Sequence, residues 1–431
     1  MRAFHALGLV SLLAWIALAI RSHEPTNVPL AFFLTVMGVA WCATLWAWRL
    51  APQLPRAPLL RGVWIWALMF RAAGLWGDPV LEDDHYRYLW DGWTYATTGD
   101  PYASSPADYF GDPAVPPAFE DILDRVNHPD VPTVYGPLTE AAFLLGYRIA
   151  PGRLWPWKLL VTAADILTAL LLMRRLAPAN LLLYAWCPLL IKETAFTAHP
   201  DSLGILFLVA ALSLVAARPG LAGVCAALAA GVKLTGALLI PWILWRGGWR
   251  AAVGFAATAA ALATGFGFGG LGTLAGDWEF NSSVFAMVSW LAGGLAARIA
   301  CAILFCLFYV WLLLREREGL DIRGEWAYGG LFALSPVVNP WYLLWILPFV
   351  AGRPVGWALA ALIAPALSYV CGLHLGDTTL GPYDHPPWLR WLEYGSVVWP
   401  ILWAILMRRE PTADRGSKRH DTVVRLHNQE I

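Results

Sequence analysis

The chain has 431 residues, of which 58% are hydrophobic and only 14% charged; soluble domains carry about 25% charged residues. That excludes a soluble globular enzyme, a nucleic-acid binder and a disordered chain, and it implies one membrane domain with many spans rather than a string of soluble domains. Lys and Arg together number 30, as do Asp and Glu, so the net charge is zero, yet the two signs are sorted along the chain.

A helix needs about 20 apolar residues to cross the hydrocarbon core. Read in chain order, the candidate spans are 4–20, 29–48, 62–79, 157–173, 180–198, 202–217, 220–232, 234–245, 251–270, 292–314, 326–338, 341–351, 354–371 and 391–407. Several are short, which gives an all-α integral membrane fold of about 12–14 transmembrane helices. Pro188, Pro241, Pro336, Pro340 and Pro348 predict broken or re-entrant pieces among them. The first run, Phe4 to Ile20, lacks a small-x-small cleavage signal and reads as a retained helix rather than a leader. The six cysteines lie in or beside apolar runs without zinc spacing and read as small hydrophobes.

With the N-terminus placed inside, Arg49, Arg56, Arg61, Arg174, Arg175, Arg218, Arg246, Arg250, Arg315, Arg323, Arg353 and Arg408 all fall on one side. The opposite loops are poor in Lys and Arg, as the positive-inside rule requires. This sorting makes 138–150 a helix on the outer surface rather than a span. Residues 1–407 then form one polytopic domain. Its long first outer loop, about 78–156, is acidic, rich in Pro, Tyr and Trp, and carries juxtamembrane helices; a loop of that length is usually functional. Residues 408–431 read as a polar cytoplasmic tail, expected to be disordered. No P-loop and no GxGxxG after a strand occurs.

The densest group of ionisable residues is Glu82-Asp-Asp-His-Tyr-Arg-Tyr-Leu-Trp-Asp-Gly92, directly after the third span. On a helix, Asp84, Arg87, Tyr88 and Asp91 share one face. A carboxylate held beside a guanidinium at the water–lipid boundary suits a general base within reach of a lipid head group and a polar acceptor; the alternative is that Arg87 only bridges Asp84 and Asp91. In Val126-Asn-His-Pro-Asp-Val-Pro-Thr-Val-Tyr-Gly-Pro137 the prolines stiffen the backbone and can present His128 and Tyr135. Lys192-Glu193 reads as a local pair or a functional one. His199 and Asp201 fall at the outer end of a hairpin. Lys233, between two short apolar runs, faces a phosphate or snorkels. Trp341 and Tyr342 suit a sugar face, an isoprenoid or an interfacial belt. Asp165, Arg71 and Arg298 suggest helix–helix hydrogen bonding rather than catalysis.

Asp84-His-Tyr-Arg-Tyr-Leu-Trp-Asp-Gly92 resembles the first outer-loop motif of bacterial polytopic glycosyltransferases of the GT-C superfamily, nearest the DUF2029/glycosyltransferase family 87 and mannosyltransferase-like proteins. Asn127-His-Pro, Pro132-Thr-Val-Tyr-Gly-Pro137, Lys192-Glu193, His199-Pro-Asp201, Lys233-Leu-Thr, Trp278-Glu-Phe-Asn281 and Pro340-Trp-Tyr342 follow in the family's order, so the likeness runs from about Asp78 to Trp399. Two positions depart. Gly136 stands where a second proline is common, and Asn339 where a His often precedes Pro-Trp-Tyr, which leaves the phosphate-contacting group there unassigned.

The resemblance implies inverting transfer of one hexose, mannose first, from a polyprenyl-phosphate donor to a glycolipid, glycan or protein acceptor at the outer face of a bacterial inner membrane. Both termini are then cytoplasmic. Asp84, with Asp83 as the close second, is the expected base. Arg87, His128, Lys192, His199, Lys233, Trp341 and Tyr342 are expected at the donor phosphate and lipid. Asp91, Asn127, Tyr135 and Asp201 are expected at the sugar or acceptor. The scheme needs no cofactor, and a divalent metal is left open. A polytopic transporter or flippase is the rival reading; it would place its ionisable residues near the midplane at a repeat interface, and no repeat is visible.

Overall fold

The computed structural model describes residues 1–24, 26–265, 267, 278–316, 322–376 and 379–407, and among them it is helical without a named strand. The expected tail, 408–431, and the end of the expected 251–270 span lie outside the described residues.

Apolar runs free of interior proline give long unbroken helices. These begin with α1 (Arg2–Ser22), α2 (Leu30–Leu50) and α3 (Arg56–Trp76). The expected outer loop folds into α4 (Asp84–Thr98), α5 (Pro117–Leu123) and α6 (Pro137–Ile149). Pro117 and Pro137 open α5 and α6, where the first turn needs no amide donor. The chain then enters α7 (Trp155–Met173).

At Pro188, Pro336, Pro340 and Pro348 the helices end or restart as expected, whereas Pro400 lies inside an unbroken helix, Pro387–Met407. The 180–198 candidate is α8 (Pro178–Ala185), α9 (Pro188–Leu190) and a π turn, Ile191–Phe196. Two regular helices follow, α10 (Asp201–Leu214) and α11 (Pro219–Val232). After a 3-10 turn, Leu234–Ala237, α12 (Ile240–Ala263) is interrupted at Gly248, with φ 60° and ψ −157°. That break divides two of the candidate spans.

The C-terminal half contains α13 (Val284–Ala292), α14 (Gly294–Arg315) and α15 (Gly324–Leu334). The 341–351 candidate is a 3-10 segment, Pro340–Ile346, running into α16 (Leu347–Gly352). The 354–371 candidate is α17 (Gly356–Ile363) running into a second such segment, Ala364–Tyr369. Short α18 (Gly372–Leu375) precedes α19 (Pro387–Met407).

Four helical stretches, Arg2–Ser22, Leu30–Gln53, Trp155–Met173 and Gly294–Arg315, are each long and apolar enough to cross a membrane. On α14, Leu295, Ile299, Ile303, Leu307, Val310 and Leu314 are all exposed, a continuous apolar stripe that a water-soluble surface rarely shows.

Buried charge ties the bundle together. Arg71 of α3 makes a two-pronged ion pair with Asp165 of α7, at 2.5 and 3.0 Å, and donates to the Ala185 carbonyl at 2.8 Å. This is the helix–helix role expected of both residues. Lys158 of α7 donates to the carbonyls of Gly74 (2.9 Å), Leu75 (3.3 Å) and Gly77 at the end of α3. Those carbonyls have no partner inside the helix, and a lysine is well suited to the negative end of its dipole.

Candidate active site

The ends of α1, α4, α6, α11, α12 and α15, the two 3-10 segments, α18 and the connections around 79–83, 127–136 and 199–200 line one cavity of about 1550 Å³. Ligand pockets are usually about 300–1,000 Å³, so this one has room for more than a sugar ring. The convergence of distant ionisable residues expected from the sequence is found here: Asp83, Asp84, Arg87, Asn127, His128, Tyr135, His199, Lys233, Trp341 and Tyr342 all line it.

The acidic end is built at the start of α4. The predicted face of that helix forms, with Tyr88 and Asp91 buried inward and Asp84 turned to the cavity. Asn127 donates from Nδ2 to Oδ1 of Asp83 (2.7 Å) and to Oδ1 of Asp84 (2.9 Å), so one carboxamide holds two acids side by side. The Asp84 side chain keeps 21% of its surface exposed. Burial among protein atoms raises its pKa, the Asn127 bond opposes that rise, and the Asp83 charge adds to it. Burial likewise lifts Glu82, against the pull of Lys192, and lowers His85 to about 4.

Arg87 donates from Nε to Asp91 Oδ1 (2.8 Å) and from a terminal nitrogen to the Val131 carbonyl (2.7 Å). It therefore bridges α4 to the proline-rich segment, and its ion pair is with Asp91 rather than with Asp84. Below it, Thr133 donates to Glu140 Oε1 at 2.7 Å. Burial raises the pKa of both Asp91 and Glu140; Arg87 opposes the rise at Asp91, whereas the Asp91 charge adds to the rise at Glu140.

The opposite wall comes from the hairpin ends. His199 lies flat on Trp341, with ring centroids 3.8 Å apart and planes 13° from parallel. Its Nδ1 is 2.9 Å from the Tyr88 hydroxyl and 3.9 Å from Asp84 Oδ2. Lys233 pairs with Asp201 at 3.0 Å and sits 4.1 Å from the Tyr342 ring centroid; it is held by a carboxylate rather than snorkelling. His128 adjoins Trp278 and Tyr383. Beyond Lys233 the lining turns apolar, through Ala227, Ala230, Leu234, Leu238, Pro241 and Leu262.

Three expected contacts do not line the cavity. Lys192 is fully buried in the π turn, 3.1 Å from Glu193 Oε2 and 3.8 Å from Glu82 Oε1, and also bonds the Tyr369 hydroxyl; the local Lys192–Glu193 pair thus exists, as part of a larger cluster. Asp91, two turns along α4 from Asp84, is taken by Arg87. Asp201 is fully buried between Lys233 and Trp345, whose Nε1 donates to it at 2.6 Å. All three stand behind the wall and hold residues that line it. Glu82, Glu140, Trp345 and Tyr369 were not among the expected site residues. Glu82 had a signal, as the first acid of the quoted motif; Tyr369 and Trp345, inside apolar runs, had none.

The backbone is strained at this site. Four non-glycine residues among those described have left-handed φ, and Leu81 (57°), His128 (47°) and Ala198 (62°) line or adjoin the cavity. Such conformations cost roughly 1–3 kcal/mol each and cluster at functional sites. The Gly136 departure also has a physical reason. Its N–H donates to the Val232 carbonyl at 3.3 Å, and a Cβ there would run into the Gly231 carbonyl oxygen, so neither proline nor alanine fits. Asn339 lines the cavity beside Trp341. Among the described residues no group of three or more His, Cys, Asp or Glu is arranged to hold a metal ion.

An all-helical membrane protein, with acids, cations and aromatic rings around a deep cavity where its helix ends meet, has the build of a membrane-embedded transferase. Residues 6–247 match the model of the MptA/B family, described as alpha-(1->6)-mannopyranosyltransferase, N-terminal domain. The match spans more than half of the chain, and the chain belongs to this GT-C-like mannosyltransferase family. It is therefore a glycosyltransferase, and the transporter reading gives way. The narrower likeness to glycosyltransferase family 87 rests on the motifs alone. No curated protein and no solved structure matches the chain.

Proposed function

We propose that this glycosyltransferase moves one mannosyl residue from a polyprenyl-phosphate donor to a hydroxyl of a glycolipid, glycan or protein acceptor. The observation that supports this most is the two-part lining of a single cavity. Asp84, Arg87 and Lys233 stand at one end, and an alanine- and leucine-rich channel along α11 and α12 leads away from them. A sugar carried on a lipid phosphate needs that combination, a polar reaction centre continuous with an apolar groove for the chain.

Asp84 is the general base. Oδ1 is committed to Asn127, while Oδ2 points toward the His199 side of the cavity. As the acceptor oxygen attacks the anomeric carbon, its proton passes to Asp84. The bond to the lipid phosphate breaks, and the charge growing on that phosphate is offset by Arg87 and Lys233, with His128 and His199 nearby. Asp83 is the second choice for the base, because Asn127 holds it equally close. The family's name specifies an alpha-(1->6) product; a single displacement gives an α linkage only from a β-linked donor, so we infer an inverting reaction on one. Asn127 and Tyr135 border the space left for the acceptor. The sorting of arginines along the sequence supports an extracytoplasmic cavity with both termini inside, and we infer a bacterial inner membrane from the family resemblance.

The test is transfer of radiolabelled mannose from polyprenyl-phosphate mannose to extracted membrane glycolipids by purified protein. Asp84→Asn should lower kcat by about 100-fold or more with donor binding retained. Loss confined to Asp83→Asn would move the base by one residue. A folded wild-type protein that neither transfers nor hydrolyses any polyprenyl-phosphate sugar would overturn the proposal.

A further inference from the structure

Glu193 lies behind the cavity wall, fully buried, and the transfer scheme above gives it no task. The π turn aims its carboxylate at three donors and one ring. Lys192 Nζ and Thr197 Oγ1 reach Oε2, each at 3.1 Å, and the Tyr369 hydroxyl donates to Oε1 at 2.9 Å. His199 Nε2 is 3.4 Å from Oε2. Nε2 makes no hydrogen bond at that distance, but a carboxylate surrounded by fixed donors remains an acceptor and favours the proton on the imidazole nitrogen that faces it. A neutral imidazole has only one N–H, which leaves Nδ1 bare. That nitrogen accepts from the Tyr88 hydroxyl at 2.9 Å and lies 3.9 Å from Asp84 Oδ2, while Trp341 holds the ring plane.

We propose that Glu193 is a positioning residue of the transfer reaction. It fixes His199 in the Nε2–H form, whose bare Nδ1 relieves Asp84 of the proton it has taken. The inference rests on Asp84 being the base. When the acceptor O–H breaks, its proton forms an O–H bond on Asp84 Oδ2. That bond then breaks, its electron pair stays on the carboxylate, and, once the Tyr88 hydroxyl has turned away from the one lone pair of Nδ1, an N–H bond forms at His199 Nδ1, across one water or a small carboxyl rotation. The imidazolium so formed is balanced by Glu193 and by the restored Asp84 carboxylate, and it gives the proton up to solvent as product leaves. The titratable and charged groups facing this ring are Asp84, His85 and Tyr88 from α4, Lys192 and Glu193 from the π turn, and Lys233 after α11. Burial above all, and then the two lysines and His85, oppose a lasting imidazolium, which suits a group that must release its proton each cycle.

The experiment is histidine-selective nitrogen-15 NMR of the full chain in nanodiscs, run beside the mannose-transfer assay. In wild type at neutral pH, His199 should show an unprotonated Nδ1. In Glu193→Gln, whose carboxamide can donate to Nε2, the proton should move to Nδ1. In that variant kcat should fall by about 10-fold or more, with KM for the donor nearly unchanged and a shifted pH profile of kcat. Glu193→Asp should keep the tautomer and recover part of kcat. A wild-type proton on Nδ1 overturns the inference, and that spectrum decides the matter even if Glu193→Gln fails to fold. So does a Glu193→Gln protein that loses activity with its tautomer unchanged. Full transfer by Asp84→Asn overturns the base assignment and the relay with it, a result that can be told apart because the tautomer spectrum does not depend on turnover.

Discussion

Asp84 is a carboxylate whose two oxygens have different surroundings, and its basicity follows from both. Burial disfavours its charged form, and the Asn127 bond to Oδ1 partly restores it. In the role proposed for it, a base with a raised pKa stops working at a higher pH than an ordinary aspartate, whose pKa is about 3.9. The acid limb of kcat/KM should therefore lie above that value. Asn127→Ala should move it further up, because the donor that favours the carboxylate is gone; transfer rates across a pH series in proteoliposomes measure both. The same shift has a thermodynamic side. The folded protein binds this proton more tightly than the unfolded chain does. The stability that results is complete below the unfolded pKa and is lost as pH rises through the folded one. Asp91, Glu140 and Glu82, also raised by burial, act in the same direction.

Elements meet at this site through backbone as much as through side chains. The start of α6 is seated on the end of α11 by the Gly136–Val232 hydrogen bond, and Thr139 adds a second bond to the same carbonyl at 2.8 Å. Gly136→Ala should cost roughly 1–3 kcal/mol, seen as a lower Tm in detergent. Gly38→Ala in α2, where a Cβ meets nothing within 4 Å, should be neutral or slightly stabilising. How far such joints can be read from sequence differs by element. The α4 face was legible, because Asp84, Arg87, Tyr88 and Asp91 recur at helical spacing and the helix is regular. Lys192 was not, because a π turn departs from the 3.6-residue period and swings the side chain inward to Glu82 and Tyr369. The place of Lys233 on the cavity wall was legible by itself, and that of Asp201 behind it was not. Nor was their pairing, since no local rule links positions on separate hairpin ends.

At the scale of the whole molecule, α3 and α7 form the frame from which the outer loop is hung. Removing one partner of a buried ion pair is far more costly than replacing both, at about 3–5 kcal/mol. Asp165→Ala should therefore lower the thermal midpoint sharply, and Arg71→Met with Asp165→Leu should recover most of the loss. Transfer per folded molecule should stay unchanged in the double variant, because neither residue lines the cavity; calorimetry beside the transfer assay reads both. Lys158 adds a vertical constraint to the same frame. At 21 residues, α3 is about 31 Å long, close to the roughly 30 Å of a bilayer's hydrocarbon, and its final carbonyls are fastened to α7. Asp84 opens α4 across the short irregular segment 77–83, whose first carbonyl, that of Gly77, Lys158 also holds, so the height of the acids above the lipid is tied to that helix end. A thicker or thinner bilayer then has to be met by tilting the bundle, and the reaction centre travels with the tilt. With the reaction centre at Asp84 as proposed, lipid chain length thus becomes a control on how deep the sugar bond sits when it is broken.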